Sequence, residues 1–326
     1  MTRIAALIAL HVAVALFGFA ALFGKWLTLS PAAIVLGRTV VAAATLTLVL
    51  ALQRAATLSA ALGPVPVPPR GRLNTEAGAG VPAPGRTDEL NPPERAETPT
   101  TARANHAGLA LNGLLLAVHW VTFFAAVQVA TVAIALLGFA SFPVFVLALE
   151  SVERRRVPNG AEGGAVLVVT MGVALLVPEL RWSNVIVQGL AWGIASGLTF
   201  ALLAVRNRRA VERHGAVALA LWQNLCAAAC LLPWVLLQGG AAVLSPRDVL
   251  LVLILGVVCT ALAHTLFIAS MRRVSAHAAS VVTVLEPVYG IALAAALLGE
   301  RPDLRTLAGA ALILVAALVA TRQAAR

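Results

Sequence analysis

Apolar runs of about 20 residues recur along this chain, the length an α-helix needs to cross about 30 Å of hydrocarbon. Lipid offers the backbone no water to bond, so segments of this kind must be helical. Ten such runs are legible, at 4–24, 31–52, 107–127, 130–150, 162–178, 185–205, 216–237, 248–269, 276–298 and 305–322. Composition agrees: 12% of the residues are charged, where a soluble domain carries about a quarter. The first run, Ile4 to Gly24, is followed by no small-residue cleavage site, so it is expected to be a retained span rather than a signal peptide.

The pattern is written twice. Residues 128–143 read QVATVAIALLGFASFP and residues 272–287 read RRVSAHAASVVTVLEP, an ungapped offset of 144 that puts Thr131 over Ser275 and Pro143 over Pro287. Five spans belong to each copy. An odd number makes the second copy enter the membrane in the opposite sense, the inverted-repeat architecture of secondary transporters. The expected fold is therefore an all-α membrane protein of ten transmembrane helices. Residues 1–52 and 107–180 form the first five-helix repeat, and 181–326 form the second. Between the parts of the first lies 53–106, with nine of the 17 prolines and few large apolar residues. Such a stretch buries too little surface to offset chain entropy and is read as a disordered cytoplasmic insertion.

The net charge of +10 would suggest nucleic acid in a soluble protein. Here the basic residues sit between spans, with no basic stripe interleaved with aromatics, so no nucleic-acid partner is expected. With a cytoplasmic N-terminus, 18 Lys and Arg fall in inner segments and five in outer ones; without 53–106 the ratio is 12 to five. Basic residues favour the cytoplasmic side, so both termini are expected there, in an inner membrane. Cys226, Cys230 and Cys259 lie in apolar runs without zinc spacing and read as packing residues. No metal or cofactor is expected. Gly189, Gly193 and Gly197 share one helix face, a flat groove that admits close backbone approach.

A charge at mid-bilayer costs about 2.5–3.5 kcal/mol on insertion scales, so polar residues at depth carry most of the functional information. Glu286, mid-span before Pro287, is either a contact for a substrate amine, a proton carrier, or a protonated or partnered acid holding a kinked helix. Pro143 and Pro287 each remove a helical bond and bend their spans. His119 and His264 occupy near-equivalent places in the two copies. Either serves substrate or proton, or bonds a neighbouring helix. Arg38 lies about 10 Å below its helix end at 1.5 Å per residue, as a carboxylate-binding group or a snorkelled or carbonyl-bonded side chain. Asn224 mirrors it. Trp120 and Trp192 are the aromatic candidates for a cavity wall, although packed or lipid-facing rings are as ordinary. The substrate-binding candidates are thus Arg38, His119, Trp120, Trp192, Asn224, His264 and Glu286.

The chain has no P-loop, GxGxxG, HExxH or GxSxG motif, which argues against ATP-driven transport and familiar catalysis. The Gly37-Arg38 pair, the Phe142-Pro143-Val144-Phe145 segment and above all EPVYGIALAAALLGE at 286–300 resemble the drug/metabolite transporter superfamily, specifically its ten-span EamA group. The resemblance covers the chain outside 53–106. It implies two inverted five-helix repeats around a central cavity lined by the third, fourth, eighth and ninth spans with parts of the first and sixth. Its first-repeat signature is degraded at Glu150 and Glu153. It implies a secondary transporter of small metabolites, an exporter of amino acids or related compounds by alternating access, with proton coupling and oligomeric state open. A carrier of lipid-linked sugars or other amphipaths, or of nucleotide sugars or purines, is the rival reading within the same fold. Outside transport, the rival readings are a membrane-embedded enzyme and a non-transporting sensor built on 53–106. A reporter active only in the cytoplasm, fused after Arg326, is expected to be active; an active periplasmic reporter at that position would reverse the orientation.

Overall fold

The computed structural model describes residues 2–61, 99–153, 155, 157, 159–176, 181–239, 244–274, 279 and 282–323. Among the described residues the chain is helical and contains no strand. The first six helices are α1 (Arg3–Trp26), α2 (Pro31–Ala61), α3 (Pro99–Val129), α4 (Val132–Phe139), α5 (Phe142–Glu153) and α6 (Gly160–Leu176). The others are α7 (Val185–His214), α8 (Ala216–Leu237), α9 (Pro246–Gly256), α10 (Ala263–Ser270), α11 (Glu286–Leu298) and α12 (Leu304–Gln323). A π-helical segment, Val257–Leu262, joins α9 to α10.

Local chemistry sets several of the helix starts. Thr131 Oγ1 accepts from the Ile134 amide at 3.2 Å and caps α4, which explains why a hydroxyl opens the apolar part of the repeated pattern. Ser245 and Asp248 form a reciprocal cap on α9: Ser245 Oγ accepts from the Asp248 amide at 3.1 Å and donates to Asp248 Oδ2 at 2.7 Å. Asp303 caps α12 by accepting from the Thr306 amide at 2.7 Å, and that hydrogen bonding holds its carboxyl below the ordinary carboxylate range. Gly299, at φ 69°, ends α11 in the left-handed conformation that glycine adopts without strain.

Among the described residues, seven helical stretches are long and apolar enough to cross a membrane: 3–26, 31–57, 107–129, 132–153, 185–214, 216–237 and 246–270. Shorter apolar helices at Val166–Leu176, Glu286–Leu298 and Leu304–Ala316 fall where the remaining three spans were expected. Helices α2 and α3 reach into both ends of the 53–106 stretch, and its centre, 62–98, lies outside the described residues. So do Ser275 and His277.

The spans that hold Pro143 and Pro287 are broken rather than bent. Helix α4 ends at Phe139, a turn occupies Ala140 and Ser141, and α5 restarts with Pro143 in its first turn. The same break recurs at Val284 and Leu285, with Pro287 in the first turn of α11. A proline is tolerated there because first-turn amides have no helical acceptor.

Packing pairs α3 with α7, α4 with α7, α1 with α10 and α11, α2 with α8, and α6 with α12. Glycines carry the tightest of these contacts. The 189–193–197 face of α7 receives α4 at backbone distance: a methyl group on Gly193 would lie 2.8 Å from the Ala135 carbonyl oxygen and 3.0 Å from Gly138 Cα. One on Gly18 of α1 would lie 2.9 Å from the amide nitrogen of Gly290 of α11. Gly164 has open space around it. Gly193→Val is therefore expected to lower stability by about 1–3 kcal/mol, read as a fall in thermal unfolding midpoint in detergent, whereas Gly164→Ala holds or raises it.

Candidate functional site

The breaks, the π-helical segment and the glycine contacts converge on one cavity. Helix α1 contributes Phe17 and Ala20, α2 Arg38, and α3 Leu116, His119, Trp120 and Phe123. Phe139 of α4, Phe200 of α7, His264 of α10 and Glu286 of α11 complete the wall. Five of the seven substrate-binding candidates from the sequence thus share one space. Its volume is about 30 Å³, room for water but not for a metabolite. In this conformation the cavity is closed around its polar groups.

Arg38 is 2% exposed and is held without a carboxylate. Its Nε donates to Thr260 Oγ1 at 2.8 Å and one Nη to the Cys259 carbonyl at 3.3 Å. Both acceptors belong to the π-helical segment, where the extra residue per turn shifts carbonyls out of the ordinary α register. Thr260 in turn donates to the Leu255 carbonyl, five residues back, at 2.7 Å. The guanidinium carbon stands 3.9 Å from the centre of the Trp120 ring, a cation–π contact worth up to about 2 kcal/mol when desolvated. Arg38 is therefore buried by partners, not snorkelled to the surface.

Glu286 opens α11 and is 5% exposed. Its carboxyl forms no hydrogen bond or ion pair with another described residue, and it does not pair with Arg38 although both line the cavity. Its first-turn position places it by the positive end of the helix dipole, which favours a carboxylate.

The histidines both line the cavity and bond neighbouring helices. His119 Nδ1 lies 2.8 Å from Ser196 Oγ and 3.1 Å from the Ser196 carbonyl on α7. Its ring leans on Phe200, with centroids 4.9 Å apart. His264 Nε2 lies 2.9 Å from Gln223 Oε1 on α8. An amide oxygen only accepts, so His264 carries its proton on Nε2. Asn224, a substrate-binding candidate from the sequence, is not brought to the cavity; its neighbour Gln223 meets His264 instead. Asn224 Nδ2 donates to the Ala220 carbonyl at 2.8 Å, and its Oδ1 is buried without a partner among the described residues. Trp192 is 41% exposed on α7 and is not brought to the cavity. Pro143 and Pro287 stand beside it, each just after the break that presents Phe142 or Glu286.

The end of the bundle that carries Lys25 and Glu300 is knitted shut. Lys25 Nζ donates to the Ala130 carbonyl at 2.6 Å, and Gln128 Nε2 to the Leu29 carbonyl at 2.9 Å. Thr28 Oγ1 donates to Asp248 Oδ2 at 3.0 Å. The Glu300 carboxylate accepts from the Val132 amide at 3.1 and 3.2 Å, bridging the end of α11 to the start of α4.

Helices long enough to span a bilayer, broken at mid-depth around a cavity holding an arginine, two histidines and a glutamate, define a multi-pass membrane transporter. The EamA-like transporter family model matches residues 187–322. A protein of Archaeoglobus fulgidus described as an uncharacterized transporter is 29% identical over 202 residues, 62% of this chain and 72% of that protein. The uncharacterized transporter YxxF of Bacillus subtilis is 25% identical over 205 residues, 62% of this chain and 65% of that protein. A crystal structure 18% identical, matched over 100% of both chains, superposes with a TM-score of 0.63, which shows the fold alone. Together these likenesses support an EamA-type transporter of the drug/metabolite transporter superfamily.

Thr260→Val removes the acceptor of Arg38 Nε while keeping the side chain's shape. It is expected to lower stability by about 1–3 kcal/mol, and Thr260→Ser to restore most of it. Equal thermal midpoints for all three proteins would show that the hydroxyl does not hold Arg38.

Proposed function

We propose that this chain is a secondary transporter that moves a small zwitterion, an α-amino acid with an apolar side chain, outward across an inner membrane by alternating access. The observation that carries the reading is the pair Arg38 and Glu286: opposite charges in one aromatic-walled cavity, neither neutralising the other. A carboxylate suits the guanidinium, whose planar donors match it. An ammonium suits Glu286. Phe17, Phe123, Phe139 and Phe200 offer an apolar surface to the rest of the molecule. Pockets of this make-up, mostly apolar with a few converging polar groups, are what small-molecule sites use.

In this reading the chain has ten spans in two inverted repeats, the first ending near residue 180 and split by 53–106, the second running from 181. Two features support it. The helix breaks at 140–141 and 284–285 stand 144 residues apart, the offset of the sequence repeat. The packing also exchanges: α3 against α7 answers α10 against α1, and α4 against α7 answers α11 against α1, while α2 with α8 and α6 with α12 answer themselves. Rocking one repeat against the other would open the closed cavity first to one side and then to the other. An unpaired Glu286 also suits proton coupling, since a membrane-buried acid without a counter-charge is a proton site by default.

The test is counterflow in proteoliposomes against neutral amino acids, purines and sugars, with and without a pH gradient. Leucine-class amino acids are expected to exchange. Arg38→Gln and Glu286→Gln are each expected to reduce exchange by about tenfold or more, the worth of one charged hydrogen bond. Undiminished exchange in both variants would remove the two-charge site; a pH-gradient effect that survives Glu286→Gln would remove the glutamate as proton carrier.

A further inference from the structure

A second pocket, of about 270 Å³, opens at the end of the bundle that carries the arginines of α7. Arg206, Arg209, Arg213 and His214 line it, with Asn112 of α3 at its inner wall. Every titratable residue on the wall is basic, and Arg209 is paired outside it with Glu153. Unlike Arg209, Arg206 is half-buried and built into the protein: its Nε donates to Asn112 Oδ1 at 2.6 Å and one Nη to the Gly108 carbonyl at 3.2 Å.

Behind Arg206 runs a continuous line of buried polar side chains. Asn112 Nδ2 donates to Asn207 Oδ1 at 3.3 Å, Gln223 Nε2 donates to the same oxygen, and Gln223 Oε1 accepts from His264 in the central cavity. Asn112, Asn207, Gln223 and His264 are all buried. They come from four elements, α3, α7, α8 and α10, so no single helix explains the line. Four polar groups in a row cost more than apolar packing would, and polar residues at such depth mark substrate or ion pathways. The line has one end at a cation-lined pocket and the other at the cavity.

We infer that the Arg206 pocket is a loading site for a carboxylate-bearing solute, and that the chain Asn112–Asn207–Gln223–His264 is the closed stretch of the route joining it to the central cavity. The inference rests on the zwitterion reading for its substrate class. The pocket has the volume for a small amino acid and the charge for its carboxylate, and the amides offer donors and acceptors in succession as α3 parts from α7 and α8. A phosphate-bearing lipid headgroup shares the anionic chemistry, so the experiment separates the two sources.

The measurement is side-resolved L-leucine exchange in proteoliposomes sorted by orientation. Arg206→Gln is expected to raise the half-saturating leucine concentration about tenfold from the arginine-bearing side and to leave the other side unchanged. Arg206→Lys, which keeps the charge, retains most of the affinity. Arg208→Gln, the same charge change on α7 outside the pocket, alters neither side. A rise from both sides, an equal effect of Arg208→Gln, or an effect confined to vesicles containing anionic lipid overturns the loading site. A second readout needs no transported substrate. In a background with Cys226, Cys230 and Cys259 replaced, Leu116→Cys in the cavity is exposed to methanethiosulfonates from the arginine-bearing side. The sulfonate-bearing reagent is expected to react faster than the quaternary ammonium one, and Arg206→Gln to erase the preference. No reaction from that side, or a preference unmoved by Arg206→Gln, rules the route out. If the wild-type protein does not exchange leucine, the zwitterion reading fails while the thiol readout still decides the route.

Discussion

In hydrocarbon a polar side chain must find its partners inside the protein, and the middle of this transporter is arranged around that requirement. Arg38 is the severest case. A buried guanidinium usually takes a carboxylate; here it takes a hydroxyl and a carbonyl from the π-helical segment and the face of Trp120. Those partners satisfy its donors without cancelling its charge. Neutral partners thus leave a positive site standing in the cavity, available to an anionic group. Glu286, at the start of a half-helix created by a break, lines the same cavity without pairing with Arg38.

The helix irregularities follow the same logic. A continuous helix satisfies its own backbone and offers nothing to a ligand. The breaks at 140–141 and 284–285 and the π-helical segment at 257–262 are the places where that self-sufficiency lapses, and cavity-lining residues flank them: Phe139, Glu286 and His264. The glycine contacts between α4 and α7 and between α1 and α11 lie beside them. At these places the helix backbones approach one another directly. The closed cavity and the hydrogen bonds at the Lys25–Glu300 end describe a conformation sealed on that side.

Much of the site is legible in the sequence because charge in an apolar run is costly enough to stand out. Arg38, His119, His264 and Glu286 emerge on that ground alone, and Trp120 by following His119. Phe139 and Phe200 do not, since a phenylalanine in a membrane span reads alike whether it faces lipid, a neighbour or a cavity. Trp192 is the same ambiguity resolved the other way: its ring faces outward. Gln223 and Asn224 are adjacent on α8, about 100° apart around the helix, and sequence position does not say which amide meets His264. The π-helical segment leaves no periodic mark over six residues. The prolines announce a disturbance but not that it is a full break, which depends on the turn formed by Ala140 and Ser141. The groove at Gly189, Gly193 and Gly197 is legible because small residues at helical spacing have one evident use in a membrane.

The central claim is two-point recognition of a zwitterion, and ligand-dependent stabilisation of the purified protein addresses it most directly. L-leucine, 3-methylbutylamine and 4-methylpentanoate carry similar hydrocarbon but both charges, the positive one or the negative one. A ligand that binds only the folded protein raises its unfolding temperature by mass action. The account predicts a concentration-dependent rise with leucine, far smaller rises with either single-charge analogue, and loss of the leucine effect in Arg38→Gln. Equal stabilisation by the amine, the acid and the amino acid would contradict it.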